Sequence, residues 1–258
     1  FILKDGNSVT DQSGNSNNFT VAAGTLTKTE DCPSNVFCAI NPLRVFGANG
    51  NETNLNLGVN TGASAWRSKF CTMAVDSGKW YYEAKWLTGP YFKIGFVRAD
   101  ETDDSISHIA TAVTAGGVAW YSNSNGELRT DDAVISGWAN TDITNITSIS
   151  TGDIFQVAVD MDNKYAYFGI NGTWAKSGDP TSGSSGTGGY SLSSDYPAGT
   201  FLMPAVSVYG SSGALNFGNG YFGTTAVSSA GTNASGLGIF EYDVPTGYTA
   251  ICTKGLNE

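Results

Sequence analysis

The sequence is poor in the residues on which most enzyme chemistry depends. Its 258 residues include one histidine, His108, and four cysteines, Cys32, Cys38, Cys71 and Cys252. Without a Cys-x-x-Cys pair the usual zinc spacing is missing, and four cysteines are too few to hold so long a chain together by disulfides. We therefore expect buried free thiols. A Cys32–Cys38 disulfide is the alternative in an oxidising compartment.

Basic residues and long apolar runs are also scarce. Lys and Arg number 13 against 23 Asp and Glu, which gives a net charge of -10. This charge repels phosphate backbones and anionic lipid, so we expect no nucleic-acid partner. No apolar run approaches about 18 residues, and the start FILKDGNSV lacks the regions of a signal peptide. We expect no membrane insertion and, from the start at Phe1, a piece of a longer chain.

Glycine and alternating apolar residues are abundant instead. The chain has 33 glycines, where average usage would give roughly 18. The segment GDIFQVAVDMDNKYAYFGINGTW (152–174) predicts two strands around a tight turn. In GKWYYEAKW (78–86), Glu83 lies on the face opposite to the aromatic residues that should face a core. The face predicted to lie against the core consists of Trp80, Tyr82, Ala84 and Trp86.

Four blocks carry a resemblance to a known family. GKWYYEAKW, FKIGFV, GDIFQVAVDMDNKYAYFGINGTW and FLMPAVSVYGSSGALNFG, which span 78–218, resemble successive core strands of SPRY domains. The resemblance implies an all-β fold, a two-sheet antiparallel β-sandwich of the concanavalin-like jelly-roll type with long surface loops. We expect one module over 1–258, with flanks at 1–77 and 219–258 around the core blocks.

The flanks resemble those of SPRY-like modules in bacteriophage virion proteins. The matching segments are DQSGNSNNFT, DCPSNVFCAINPL and GIFEYDVPTGYTAICTKGLNE. This implies a tail-fibre or spike module in the virion, assembled in the host cytoplasm, that binds a host-surface glycan or protein. It further implies contacts with other virion subunits and a homo-oligomer, expected to be a trimer. The alternative is a structural virion protein for head decoration or tail assembly, with the SPRY face in subunit contacts.

Catalytic groups and metal ligands are thinly represented. His108, in SISHIATAV, has no Gly-x-Ser-x-Gly motif and no obvious orienting acid nearby, so we predict no enzyme. Glu83 is the one carboxylate inside a clear strand, and the resemblance implies a structural role for it. No cofactor is expected. The acidic loop is a weak Ca²⁺ candidate without EF-hand spacing, and a solvated loop is the alternative; its acids are Asp100, Glu101, Asp103 and Asp104.

Binding is therefore assigned to aromatic residues near turns, because rings stack on sugar faces or fill peptide pockets. The expected recognition loops are 98–114, 121–142 and 174–200. Two polar, Gly/Ser-rich insertions, within 175–200 and 225–238, are predicted to be surface loops that do not pack. The candidate ligand contacts are Tyr91, Tyr121, Trp138, Trp174, Tyr190 and Tyr196, with Tyr121, Trp138 and Trp174 as the main anchors.

Overall fold

The computed structural model describes residues 9–11, 13–23, 31–32, 34–46, 51–53, 58–60, 65–102, 108–111, 116–122 and 126–257. Within these ranges the regular structure is β apart from three short 3₁₀ segments, Ala175–Ser177, Pro180–Ser185 and Gly255–Asn257. None of the described helices has the length and apolar character that a membrane crossing requires.

The strands are numbered in chain order. They are β1 (Ile40–Phe46), β2 (Asn51–Thr53), β3 (Gly58–Asn60), β4 (Trp66–Cys71), β5 (Lys79–Thr88), β6 (Tyr91–Arg98), β7 (Val118–Tyr121), β8 (Glu127–Thr130), β9 (Ala133–Val134), β10 (Ile154–Asp160), β11 (Tyr165–Ile170), β12 (Thr173–Trp174), β13 (Tyr190–Ser191), β14 (Leu202–Tyr209), β15 (Ser212–Asn216), β16 (Tyr221–Phe222), β17 (Thr225–Ala226) and β18 (Thr249–Ala250).

Two sheets dominate this arrangement. The seven-stranded sheet has the order β1-β4-β14-β6-β7-β8-β9. The nine-stranded sheet has the order β12-β11-β10-β5-β15-β3-β2, with β13 paired to β11 and β18 paired in parallel to β5. The other described pairs in both sheets are antiparallel, for example β14 with β6 and β10 with β11. The predicted two-sheet antiparallel sandwich is confirmed.

The core lies between the two sheets and is filled by alternate residues of their strands. Phe92 of β6 packs edge to face on Phe155 of β10, with ring centroids 5.2 Å apart. Phe96 stacks on Phe168 at 6.1 Å. Strands β10 and β11 pair along their length, and β10 also pairs with β5, so both lie inside the nine-stranded sheet. The strand pair predicted from 152–174 is confirmed.

Strand β5 is buried on both faces, where the sequence indicated one. Tyr81 and Glu83, on the outer face, are 0 % exposed because the C-terminal segment crosses them. The backbone N–H groups of Glu241 and Tyr242 donate to Glu83 Oε2 and Oε1, each at 2.9 Å. Tyr81 Oη donates to the same carboxylate at 2.9 Å. Burial raises the pKa of Glu83 to about 7, and these donated bonds oppose that rise.

The two polar insertions pack, contrary to expectation. In the first, β13 pairs with β11, and Leu192 and Tyr196 are 0 % exposed. In the second, Leu237 is buried, and Asn233 Nδ2 donates to the carbonyls of Leu237 and Gly238 at 2.8 and 3.0 Å. A few apolar side chains are enough to pack such a segment, provided that these side chains lie where the segment contacts a sheet. Gly and Ser form the turns between the contacts.

The two flanks meet each other along a short antiparallel ladder. Cys38 N donates to Ile251 O and Thr253 N donates to Val36 O, each at 2.9 Å. Phe37 bridges to Cys252 between these bonds. Cys38, Cys71 and Cys252 are buried free thiols, whereas Cys32 is exposed. The Cys32–Cys38 bridge is not formed.

Replacing Glu83 with Gln tests the contact that holds the C-terminal segment. Each carboxylate oxygen accepts a backbone N–H, so the amide NH₂ of Gln meets a donor in either orientation. We expect a loss of about 1–3 kcal/mol in the free energy of unfolding, measured by urea denaturation. Glu241→Gln is the control, since its partly exposed carboxylate contacts Ser228 instead. Equal stability of Glu83→Gln and the native chain would contradict this account.

Candidate functional site

Aromatic and charged side chains gather on the outer face of the seven-stranded sheet. Because β6 directs Phe92 into the core, its neighbours Tyr91 and Lys93 face outward. Tyr209 of β14 is the register partner of Tyr91 on one side and of Trp66 on the other. Lys93 is likewise opposite Tyr121 of β7. We define the Trp66 patch as Trp66, Tyr91, Lys93, His108, Tyr121 and Tyr209.

The indole of Trp66 is the centre of the patch. Its ring centroid lies 4.9 Å from that of His108, 5.6 Å from Tyr209 and 5.9 Å from Tyr121. The Tyr91 ring stacks at 6.3 Å from it. Tyr91 is 39 % exposed, and the other three large rings are half-buried. The patch therefore offers ring surface to solvent on a rigid strand framework.

Lys93 brings a buried amine into the middle of these rings. The residue is 2 % exposed, and its Nζ lies 4.6 Å from the centroid of Trp66 and 5.2 Å from that of Tyr121. Ring faces attract a cation, but burial removes its hydration. The loss of hydration is the larger effect: burial, with a smaller contribution from the nearby Arg129 charge, lowers the pKa of Lys93 to about 7.

His108 links Lys93 to an acid. Its Nδ1 lies 2.9 Å from Lys93 Nζ and its Nε2 lies 3.3 Å from Asp132 Oδ1. Nδ1 also lies 3.0 Å from Ile109 O, so it accepts from a charged Lys93 when the imidazole proton is on Nε2, and donates to Ile109 O in the other tautomer. Burial lowers the pKa of His108, and the Lys93 charge adds to that effect. The sequence showed no orienting acid because Asp132 comes from a different turn.

Charges of both signs surround the rings. Arg129 Nε donates to Glu127 Oε1 at 2.5 Å, and the Arg129 guanidinium lies 5.2 Å from the Tyr121 ring centroid. Asp132 adds a second carboxylate, half-exposed beside His108. With cations and anions paired to each other, the patch is suited to stacking and hydrogen bonding with a ligand rather than to capturing one strong charge.

Two of the six predicted ligand contacts, Tyr91 and Tyr121, lie together in this patch. Trp138 and Tyr196 were wrong as surface contacts, because both are buried. Trp138 packs edge to face on Trp120 and Phe168, at 6.3 and 6.4 Å. The Tyr196 hydroxyl donates to a backbone carbonyl at 2.7 Å inside the fold. Proximity to a turn indicated exposure, but both turns fold back over the sandwich.

Trp174 and Tyr190 are half-buried and lie away from the patch. Both belong to strands on the β11 side of the nine-stranded sheet. Trp174 packs edge to face on Tyr81 at 6.4 Å, and Tyr190 Oη donates to Asp195 at 3.0 Å. They are therefore not brought together with Tyr91. Sequence reasoning missed Trp66, Lys93 and Tyr209, because only the strand register places these residues beside Tyr91.

The acidic loop is only partly described. Asp103 and Asp104 lie outside the described residues. Asp100 makes a bidentate pair with Arg98, at 2.6 and 3.0 Å, and Glu101 is buried. Across the described ranges no group of three or more His, Cys, Asp or Glu is placed to hold a metal ion. The Ca²⁺ site stays a prediction.

No protein-family model matches the chain, and no curated protein matches it either. Among solved structures, the chain is similar to the SPRY domain of human HERC1, with 16 % sequence identity and a TM-score of 0.49. The match covers 69 % of this chain and 96 % of that domain. The sandwich itself is established by the strand order described above.

The buried amine makes stability depend on pH. The pKa of Lys93 is about 7 when folded and about 10.4 in an unfolded chain, so between these values the unfolded state binds more protons. Stability from this group therefore rises with pH, by at most about 1.4 kcal/mol per pH unit. We expect the native chain to gain stability relative to Lys93→Met over that range, measured by urea denaturation at each pH. A stability difference that does not change with pH would contradict the shifted pKa.

Proposed function

We propose that this chain is a non-enzymatic recognition module of a bacteriophage tail fibre or spike, and that it binds a host-surface glycan or protein through the Trp66 patch. The assignment to a virion rests on the resemblance of the core blocks and flanks. The observation that supports the binding surface is the exposed Tyr91 ring, held against Trp66 at 6.3 Å and Tyr209 at 5.9 Å.

The position of the patch supports this proposal. Trp66 and Tyr91 begin β4 and β6, whereas Tyr121 and Tyr209 end β7 and β14. In antiparallel strands these four positions fall at the same end of the sheet. Rings anchored at strand ends combine a rigid base with contacts at the mouth of the sandwich, where loops can add specificity. The sequence also led us to expect recognition at a sandwich end, with Tyr91 and Tyr121 among its candidate contacts.

The chemistry of the patch is that of binding. Tyrosine and tryptophan rings provide large contact areas at low conformational cost. His108 has both ring nitrogens engaged, by Lys93 and Asp132, which suits a role in fixing the patch. We therefore assign no turnover to these groups.

Replacing Tyr91 with Ala tests the binding surface. Tyr91 is 39 % exposed but packs on Trp66 and Tyr209, so its loss should remove a ligand contact and cost about 0.5–3 kcal/mol of stability without unfolding the chain. We expect adsorption of the purified module to host cells to fall about tenfold or more, as for loss of a central aromatic contact.

Phe201→Ala is the matched control. Phe201 is 47 % exposed and precedes β14 at the end opposite to Tyr209. Its loss should leave adsorption unchanged. If Tyr91→Ala and Phe201→Ala adsorb like the native module, the Trp66 patch is not the recognition surface.

A second candidate function is the structural one, in which the module packs on other virion subunits. It is favoured by apolar side chains exposed on the N-terminal flank. Leu43 is 94 % exposed and Phe19 is 60 % exposed. Side chains of this kind lose contact with water when a neighbouring copy covers them, which stabilises an oligomer.

Replacing Leu43 with Asp tests this alternative. If copies of the chain associate as a trimer through this flank, a charge at Leu43 should shift sedimentation from trimer to monomer. Leu87→Asp is the control, because Leu87 is 39 % exposed and lies near the C-terminal end of β5, outside the N-terminal flank. A native chain that sediments as a monomer at all concentrations would contradict association through Leu43.

A further inference from the structure

Three tyrosine hydroxyl groups of the Trp66 patch have no partner in the described part of the chain. They belong to Tyr91, Tyr121 and Tyr209, and none of their oxygen atoms is buried. The ring centroid of Tyr91 lies 5.7 Å from that of Tyr121 and 5.9 Å from that of Tyr209, so the three form one surface. Buried tyrosine hydroxyls are bonded within the fold, as in Tyr82, which donates to Gly95 O at 2.7 Å. A tyrosine hydroxyl both donates and accepts, so the three in the patch suit a ligand rich in hydroxyl groups.

The ring surface of the patch can be reached from solvent, but it is small. Tyr91, the most exposed of the four large rings, is 39 % exposed, and the others are partly exposed. An aromatic side chain has about 150–250 Å² to bury, so the four rings together offer at most about 400 Å². Each side of a standard protein–protein interface buries about 800 Å². The rings therefore fit a small ligand better than the face of a folded protein.

Lys93 already supplies a cation to these rings. Its Nζ lies 4.6 Å from the centroid of Trp66 and 5.2 Å from that of Tyr121. A cationic ligand on the same rings would be repelled by the protonated amine or would have to drive off its proton, and either costs free energy. The patch therefore disfavours Lys, Arg and quaternary ammonium groups, although aromatic rings otherwise attract them.

An anionic ligand is disfavoured by the carboxylates. The Asp132 side chain is 56 % exposed beside His108, and the net charge of the chain is -10. Glu127 offsets the charge of Arg129, with which it pairs. A neutral ligand avoids repulsion of either sign. Asp132 also has lone pairs to spare, because a carboxylate can accept about four hydrogen bonds.

We propose that the ligand of the Trp66 patch is a neutral glycan, which rests on the recognition function proposed above. A pyranose ring stacks its apolar C–H face on Tyr91, whose ring lies at 25° to that of Trp66. The hydroxyl groups at the edge of the sugar bond to the free tyrosine hydroxyls and to Asp132. Of the two ligand classes, glycan and protein, this selects the first.

The first experiment measures binding to the whole chain. The neutral probes are methyl pyranosides and their disaccharides, with choline as the cationic probe and a methyl sialoside as the anionic one. Saturation-transfer NMR detects binding, and amide shifts in a ¹⁵N-labelled sample locate it. We expect a neutral sugar to bind more tightly than choline and the sialoside, with shifts at Tyr91, Lys93 and Tyr121.

Tyr91→Phe keeps the ring and removes one free hydroxyl. Because that hydroxyl has no bond to lose in the described part of the chain, the melting temperature should stay nearly unchanged. Affinity for the sugar should fall about two- to tenfold, which corresponds to one hydrogen bond. Tyr165→Phe is the matched control. Tyr165 is partly exposed on β11 of the other sheet, and its hydroxyl likewise has no described partner, so sugar affinity should not change.

The second experiment separates the class of ligand from the recognition function. The module is added to host cells treated with periodate, which cleaves the vicinal diols of surface glycans, or with a protease, which removes surface proteins. We expect periodate to abolish adsorption and protease treatment to leave it intact. Tyr91→Ala should reduce adsorption to untreated cells.

The neutral-glycan assignment is overturned if no neutral sugar binds, if choline or the sialoside binds more tightly, or if the shifts fall outside the Trp66 patch. It is also overturned if the protease abolishes adsorption and periodate does not, while Tyr91→Ala still reduces it. That last result would leave the recognition function standing. Sugar binding at the patch, together with adsorption that Tyr91→Ala leaves intact, would instead uphold the ligand class and refute the recognition function.

Discussion

The carboxylate of Glu83 is the contact on which the outer side of the nine-stranded sheet depends. Buried acids are costly unless their oxygens are well supplied with donors. Here two consecutive backbone N–H groups, of Glu241 and Tyr242, converge on it from the C-terminal segment. Tyr81 and Asn216 donate from the sheet itself, at 2.9 and 3.4 Å. One side chain thereby fixes where the C-terminal segment crosses β5.

That crossing has effects well beyond Glu83. It lets Phe240 pack edge to face on Tyr81 at 5.0 Å and brings β18 alongside β5. Thr249 and Ala250 of β18 thereby pair with Trp80 and Tyr81 of β5. On the outer face of the seven-stranded sheet, Phe70, Ala119 and Ala205 are buried in one cluster with Ile109 and Ala110, while the rings of the Trp66 patch lie at one end of the sheet. The two faces therefore differ in what they can contact.

The sandwich and the strand pair in 152–174 could be predicted because strand alternation and turn residues are local signals. The patch could not, since Trp66, Tyr91 and Tyr209 meet only through the register of three strands that are distant in sequence. Trp138 shows the reverse error. Its surroundings, ISGWANTD, read as an exposed turn, but the ring is buried against Trp120. Burial is decided by what the rest of the fold places over a turn, which a single sequence does not reveal.

The ladder between the two flanks determines how the sandwich responds to mechanical tension. Backbone hydrogen bonds join Val36 to Thr253 and Cys38 to Ile251, in antiparallel order. A force that pulls the two flanks apart reaches the Val36 end first and opens the bonds one after another, as in a zipper. Peeling of this kind requires much less force than shearing many bonds at once. The flanks would therefore separate as a local opening while the two sheets still carry little load.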